Sequence, residues 1–522
     1  MLASLLSAVL IGLTGRAIRV EVDVAPGLPG TTIVGLADTA LLESRERVRG
    51  AIRNTGLAYP PRRITVNLAP ADLRKGGSSL DLAIAVGILV ASEQLRTGGG
   101  AALVGELALG GEIRRPPGLL PLVAALARRG TGRVIVPEDG LAEAALASGI
   151  EVLPAATLDD ALGLLRRGAR RRAAPAVPAR VDLATEPAGS RTPQRPAPPA
   201  VADDGSDHPD LAEVRGQLEG RRALEVALAG GHGLLLVGPP GSGKTLLART
   251  IPGLLPPLDD DEALEATIVR SVATGGVDAL VRRRPFRAPH HTSSYAAVVG
   301  GGPGLSPGEV TLANGGVLFL DELPEFGRDV LEALREPLEE GRVTISRVGR
   351  ADTFPARFQL VAAMNPCPCG AAGEEERCRC RPGVAERYAA RISGPLRDRI
   401  DVWVRMPRVP TASLLRGEPE PSVTVAARIA AAREIQIARG GRLNARVDGR
   451  HLRAVARLDP SSERRLVELA DRMGLSARGT TRLLRVARTI ADLARERAVT
   501  APHLEEAARY RVPILDPGAA GA

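Results

Sequence analysis

Residues 238–245 read GPPGSGKT, and Lys244 within them is one of two lysines in a chain whose lysine and arginine total 69. The pattern G-x-x-x-x-G-K-[ST] is the chemistry of a phosphate cradle. Its glycines let successive backbone N–H groups turn toward a polyphosphate while the lysine reaches the β and γ phosphates. Gly238, Pro239, Pro240, Gly241, Ser242 and Gly243 form the loop, Lys244 supplies the charge, and the Thr245 hydroxyl is suited to Mg²⁺. A compact ammonium fits inside such a loop where the wide guanidinium fork of arginine does not, which accounts for a lysine in an arginine-dominated chain. The surroundings, HGLLLVGPPGSGKTLLART, read as apolar strand, loop and helix start, the order the cradle requires.

Two further groups suit the same phosphate. In GGVLFLDELPEF the apolar run Val317 to Leu320 predicts a buried strand delivering Asp321, a Mg²⁺ ligand, and Glu322, which can polarise a water for in-line attack. The later run FQLVAAMN ends in Asn365, whose amide can orient that water. All four cysteines fall in CPCGAAGEEERCRC, at Cys367, Cys369, Cys378 and Cys380. Four thiolates in one loop match a structural tetrahedral Zn²⁺ site, with disulfides as the alternative reading. No export signal points to an oxidising compartment, which favours zinc and a cytoplasmic location. His290 and His291 have no further ligands close in sequence and read as turn residues.

The elements that must position these groups follow from composition and patterning. With 522 residues, 44% hydrophobic and 25% charged, the chain has material for several cored domains. An α/β region spans 1–165, a Pro-, Ala- and charge-rich linker 166–210, a nucleotide-binding α/β region 211–410, and an arginine-rich helical region 411–522. The linker composition predicts disorder. The opening MLASLLSAVLIGLTG lacks a basic leader and a cleavage site and is too short to span a bilayer; it predicts a first buried strand or helix, and no membrane association. EEGRVTISRVGRADTFPARFQL alternates like two strands around a GRAD turn. A net charge of +9 favours a polyanionic partner, and an aromatic content of 2% excludes base stacking as its main grip, leaving phosphate contacts.

The stretches GLPGTTIVGLADTALLESRERVRGAI, RITVNLAPADLRKGGSSLDLAIA, RPFRAPHHTSSYAAVVGGG, PGEVTLANGGVLFLDELPEF, FQLVAAMNPCPCG and ISGPLRDRID together resemble the magnesium-chelatase-like AAA+ family of the ComM/YifB type. The resemblance covers nearly the whole chain outside the linker. It implies a Lon-protease-like N-terminal α/β domain, a P-loop AAA+ domain and a C-terminal helical lid. The implied activity is that of an ATP-driven homo-hexameric ring acting on single-stranded or branched DNA, by branch migration or as a helicase, in recombination during natural transformation. It further implies Arg399 as the finger reaching a neighbouring subunit's γ phosphate, with Arg397 and Arg391 as rivals, and Arg478 as a second sensor for the subunit's own nucleotide. In related ring motors a hairpin before the sensor strand projects into the pore, which would put Arg347 and Arg350 against DNA; a solvated edge hairpin is the plain alternative. Asn314 stands where the family has histidine, and Arg397 where it has leucine.

The Lon-type resemblance also implies a serine and lysine dyad, and RKGGSSLD offers Ser78 or Ser79. The base is missing. The segment GELALGGEIRRPPGLLPLVAALA carries no lysine and has Pro121 near the required position, and arginine cannot serve as a general base. The domain therefore reads as an inactive protease fold, with Lys75 left for a local phosphate, backbone or carboxylate contact. Two other functions compete with the DNA motor. A magnesium-chelatase metal-insertion subunit is disfavoured because such subunits generally lack the N-terminal domain, and an ATP-dependent protease is disfavoured by the missing lysine.

Overall fold

The computed structural model describes residues 1–36, 38–73, 75–96, 100–171, 208–302, 306–347, 350–372, 378–410 and 419–511. It divides into two compact units, one of Met1–Ala202 with Ala263–Val281, the other of Asp203–Glu262 with Arg282–Ala522. This division differs from the sequence boundaries in two ways. The C-terminal helices share a unit with the nucleotide-binding sheet, and a piece of the sequence expected as nucleotide-binding belongs to the N-terminal unit.

In the first unit the opening segment is a strand, Leu2–Ile11, paired antiparallel along its length with Thr14–Ala25. Thr14–Ala25 pairs antiparallel with Arg63–Ala69, and that strand pairs parallel with Gly30–Val34. A second, parallel sheet holds Ala101–Leu103, Arg133–Pro137 and Glu151–Ala155. The helix Asp81–Ala91, apolar on every side, is buried nearly throughout, as an all-apolar helix must be. Gly15 is required where the helix Leu119–Arg128 crosses, because a Cβ there would lie 2.0 Å from the Pro121 carbonyl oxygen. The helix Leu158–Arg171 runs six residues into the segment expected as linker; residues 172–207 lie outside the described residues.

The segment Ala263–Val281 joins this unit through a buried carboxylate. Glu143, fully buried, accepts from Arg115 Nε at 2.7 Å, from the Leu120 backbone N–H at 2.9 Å and from the Ser271 hydroxyl. Arg115 also donates to the Val277 carbonyl at 2.7 Å, and Ile268 packs on the apolar cluster of Leu119, Leu122 and Val123.

The second unit is built on a five-stranded parallel sheet in the order Phe286–Arg287, Val317–Leu320, Gln359–Met364, Leu234–Val237 and Val402–Arg405. Its three central strands are buried at every position, the reason their sequences run apolar without alternation. The strands flanking Leu234–Val237 come from later in the chain, so the ends of three separate segments converge beside the loop that follows it. Arg342–Arg347 and Arg350–Pro355 form the antiparallel hairpin the alternation predicts. Its turn is not GRAD, however: Arg350, Ala351 and Asp352 lie in the second strand, and the connecting Val348 and Gly349 are outside the described residues.

Five helices, Ser422–Gly440, Gly449–Ala456, Pro460–Arg472, Ala477–Leu493 and Ala501–Arg509, form the helical C-terminal region. Its polar centre is Asp492, whose buried carboxylate accepts from Arg439 at 2.7 and 2.8 Å, Arg488 at 2.9 Å and Asn444 at 2.8 Å. Several arginines that look like surface charge in the sequence are thus internal ties. A buried chain Asp401–His232–Thr489, at 3.1 and 2.8 Å, links the sheet to the helix Ala477–Leu493. Among the described residues no helix is long and apolar enough to cross a membrane.

Candidate nucleotide site

The loop Gly238–Gly243 leaves the strand Leu234–Val237 and enters the helix Lys244–Arg249. A Cβ on Gly238 would lie 2.2 Å from the Met406 carbonyl oxygen, and Gly241 and Gly243 take φ of 77° and 88°, in the region that favours glycine. The three glycines are therefore each fixed by geometry. Gln217 secures the loop from outside, donating to the Ser242 carbonyl at 2.9 Å and the Pro407 carbonyl at 2.5 Å.

Lys244 turns its ammonium back into the loop. It donates to the carbonyls of Gly238 at 2.7 Å and Pro239 at 3.0 Å, and to Asn365 Oδ1 at 3.2 Å. Burial lowers its pKa, a cost only partly offset by the charges of Asp321 and Glu322. A desolvated ammonium surrounded by neutral oxygens fits an anion. Among the described residues the buried Ser242 hydroxyl has no hydrogen-bond partner, and it offers a further donor to that anion. Thr245 donates to Asp321 Oδ2 at 2.6 Å, so the two groups expected at Mg²⁺ already hold each other. The strand ending before Asp321 and the strand ending before Asn365 are neighbours in register, Leu320 opposite Ala362, which brings both residues to one end of the sheet beside the loop.

Glu322 follows Asp321 in a left-handed conformation, φ 53°, which a non-glycine residue adopts only when its surroundings impose it. Its carboxylate meets His291 Nδ1 at 3.2 Å. His291 is thus more than the turn residue its sequence context suggests, and it is the site residue that sequence reading missed. Only the HH pair itself, its rings tilted at 33° with centres 4.2 Å apart, marked the place.

The arginines sort differently from their sequence order. Arg399 is mostly buried, paired with Glu339 and donating to the Pro395 carbonyl at 2.5 Å. Burial lowers its pKa, as do the neighbouring charges of Arg335, Arg482 and Arg478. The partners of Arg399 are thus Glu339 and the Pro395 carbonyl, whereas Lys244 takes its partners from the loop and Asn365. Arg391 pairs with Glu325 at 2.9 Å. Arg397 ends the short helix Gly394–Arg397, and Asn314 is buried, its Oδ1 accepting from the Arg357 N–H at 2.9 Å. Arg347 and Arg350 are backbone partners at the closed end of the hairpin.

The sulfur atoms of Cys367, Cys369, Cys378 and Cys380 lie within 4.8 Å of one another, and all four cysteines are free in this structure. Backbone N–H groups of Ala371 and Arg379 hold the Cys369 thiol down to about 6, the condition of a ready thiolate. The cluster could hold a metal ion such as Zn²⁺.

In the N-terminal unit the serine and lysine dyad is not assembled. Ser79 donates to the Ala8 carbonyl at 2.9 Å and Ser78 to Glu106. Lys75, fully buried, gives its ammonium to the Pro70 carbonyl and its backbone N–H to Leu36, so the second lysine is a backbone clasp.

Similarity to known proteins agrees with this geometry. Family profiles described as magnesium chelatase subunit ChlI, subunit ChlI of Mg-chelatase, and magnesium chelatase subunit ChlI C-terminal match residues 210–414, 20–140 and 419–511. The chain is 44% identical over 506 residues to the uncharacterized protein YifB of Escherichia coli strain K12, covering 96% of this chain and 95% of that one. It is 41% identical over 520 residues to the competence protein ComM of Haemophilus influenzae, covering 98% of each. The chloroplastic magnesium-chelatase subunit ChlI of Oryza sativa subsp. japonica is 24% identical over 247 residues, covering 43% of this chain and 55% of that one. The 20–140 match means that an N-terminal region does not by itself separate this chain from chelatase subunits; the extent and identity of the alignments do. The chain belongs to the ComM/YifB family of magnesium-chelatase ChlI-like ATPases.

Proposed function

We propose that the protein is an ATP-hydrolysing ring motor, a homo-hexamer that moves branched or single-stranded DNA by branch migration during recombination. The observation that carries the ATPase half is the convergence of Lys244, Thr245, Asp321 and Asn365 on one loop, with Glu322 next to Asp321. Lys244 binds and orients the β and γ phosphates of ATP. Thr245 and Asp321 hold Mg²⁺, which when bound neutralises phosphate charge. Glu322 accepts the proton of the attacking water, and Asn365 orients that water. In a ring, Arg399 meets a neighbouring subunit's γ phosphate as negative charge develops, and Arg478 reads the nucleotide held by its own subunit.

The DNA half rests on the full-length likeness to a competence protein and on the hairpin that precedes the sensor strand. Contacts to DNA are made to phosphates, so affinity falls steeply with salt, by roughly 0.7 to 0.9 in log affinity per log salt for each phosphate neutralised. The test is the double variant Arg347→Ala with Arg350→Ala. It is expected to fold, form rings and keep basal ATP hydrolysis, while losing DNA stimulation and movement of a four-way junction. Normal junction movement by this variant contradicts the hairpin assignment. The ChlI profile over 20–140 keeps a chelatase-type metal-insertion role as the reading to adopt if the unmodified protein ignores DNA.

A further inference from the structure

The loop that follows the sensor strand carries all four of the chain's cysteines and touches the nucleotide loop at two points. Asn365, two residues before Cys367, accepts from the Lys244 ammonium at 3.2 Å. Gly370, three residues after Cys367, lies against Pro240: a Cβ there would stand 2.3 Å from Pro240 Cδ. Gly370 itself is held by its N–H to the Cys367 carbonyl at 2.9 Å and has φ of 82°. The path from the sulfur cluster to the residues that touch the phosphate loop is therefore two residues long on one side, Cys367 to Asn365, and one on the other, Cys369 to Gly370.

The sulfur geometry matches a metal. Cys369 Sγ is 3.8 Å from Cys378 Sγ and 3.3 Å from Cys367 Sγ. A tetrahedral tetrathiolate with Zn–S near 2.3 Å has S–S edges of about 3.8 Å, while a disulfide bond is about 2.05 Å long. Cys367 is fully buried, which anchors one corner of the cluster in the fold.

We propose that the four cysteines bind one Zn²⁺ per chain, and that the metal knuckle is a brace on the nucleotide site, holding Gly370 against Pro240 and Asn365 against Lys244, so that metal occupancy sets nucleotide affinity. The sulfurs enter as thiolates and release their protons to solvent; no oxidant or reductant is involved. Joined to Zn²⁺ they leave a net charge of −2, and Arg379 and Arg381 lie within the same short segment. The metal half stands on the sulfur geometry alone, whereas the brace rests on the ATPase reading.

The experiment uses the full chain. Metal analysis of protein purified without added metal is expected to give about one Zn²⁺ per chain, and Co²⁺ substituted for it should give the absorption of a tetrahedral tetrathiolate. Removing Zn²⁺ with a chelator that strongly prefers it over Mg²⁺ should lower the affinity for a fluorescent ATP analogue at least about tenfold, and added Zn²⁺ should restore it. Because chelation acts on the folded wild type, the result does not depend on cysteine variants that fail to fold. Gly370→Ala separates the brace from the metal: it should keep zinc and still lose affinity, because its methyl group displaces Pro240. A metal-free preparation that binds the analogue as tightly as a zinc-supplied one overturns the proposal. Unchanged affinity after zinc removal overturns the brace alone, while a zinc-loaded chain that binds no ATP contradicts the ATPase reading and the brace with it.

Discussion

The proposed division of work among Lys244, Asp321 and Glu322 is testable because each touches something different. Lys244 is desolvated among carbonyls, Asp321 is tied to Thr245, and Glu322 reaches away from both to His291. Glu322→Gln should bind ATP at near-normal affinity and lose on the order of 10² to 10⁴ in turnover, the usual contribution of a positioned base. Lys244→Ala should lose binding itself. Equilibrium binding alongside single-turnover hydrolysis separates the two, and a glutamine variant that hydrolyses normally would remove Glu322 from its role. The residues that carry these roles were legible because motif spacing encodes them locally. His291 was not, since its partner lies thirty-one positions away and only the pairing of parallel strands brings the two together.

At the scale of elements, the sheet was readable from apolar runs and the hairpin from alternation, yet the compact units were not. The helix Asp260–Thr274 carries a low-contrast sequence, DDEALEATIVRSVAT, and nothing in it announces that Ser271 will bond Glu143. The two ends of the inserted segment are closed by the Leu258 N–H on the Arg282 carbonyl at 2.8 Å and by Arg284 on Glu262 at 2.8 Å. Glu143→Ala leaves Arg115 without its buried partner, a change of about 3 to 5 kcal/mol when a buried pair is broken on one side. Hydrogen exchange should then rise across 263–281 and the helix Leu119–Arg128. The strands Leu234–Val237 and Gln359–Met364 should keep their protection. Equal loosening of both units would contradict the assignment of this segment to the N-terminal unit.

For the whole molecule, the positive surplus means less than its size suggests. Arg115, Arg439 and Arg488 are internal ties, and Arg222 and Arg428 share Glu225, so a charge of +9 is not a measure of exposed basic surface. The DNA claim therefore depends on assembly and on the hairpin rather than on net charge. If Arg399 acts across a subunit boundary, Arg399→Ala should keep ATP binding and lose roughly 10³ to 10⁵ in turnover, the range for such fingers. Mixing Arg399→Ala with Lys244→Ala subunits should restore part of the activity, because some interfaces then join an intact loop to an intact finger. No recovery where rings form would move the role to Arg397 or Arg391.

The most direct measurement of the central claim is the steady-state ATPase rate of the purified protein without DNA, with linear single strands and with a four-way junction, at fixed low salt. A motor that grips DNA by its phosphates gives a low basal rate, clear stimulation by single strands and by the junction, and loss of that stimulation as salt rises. Identical rates in all three conditions, with no DNA retained by the protein, would contradict the motor assignment.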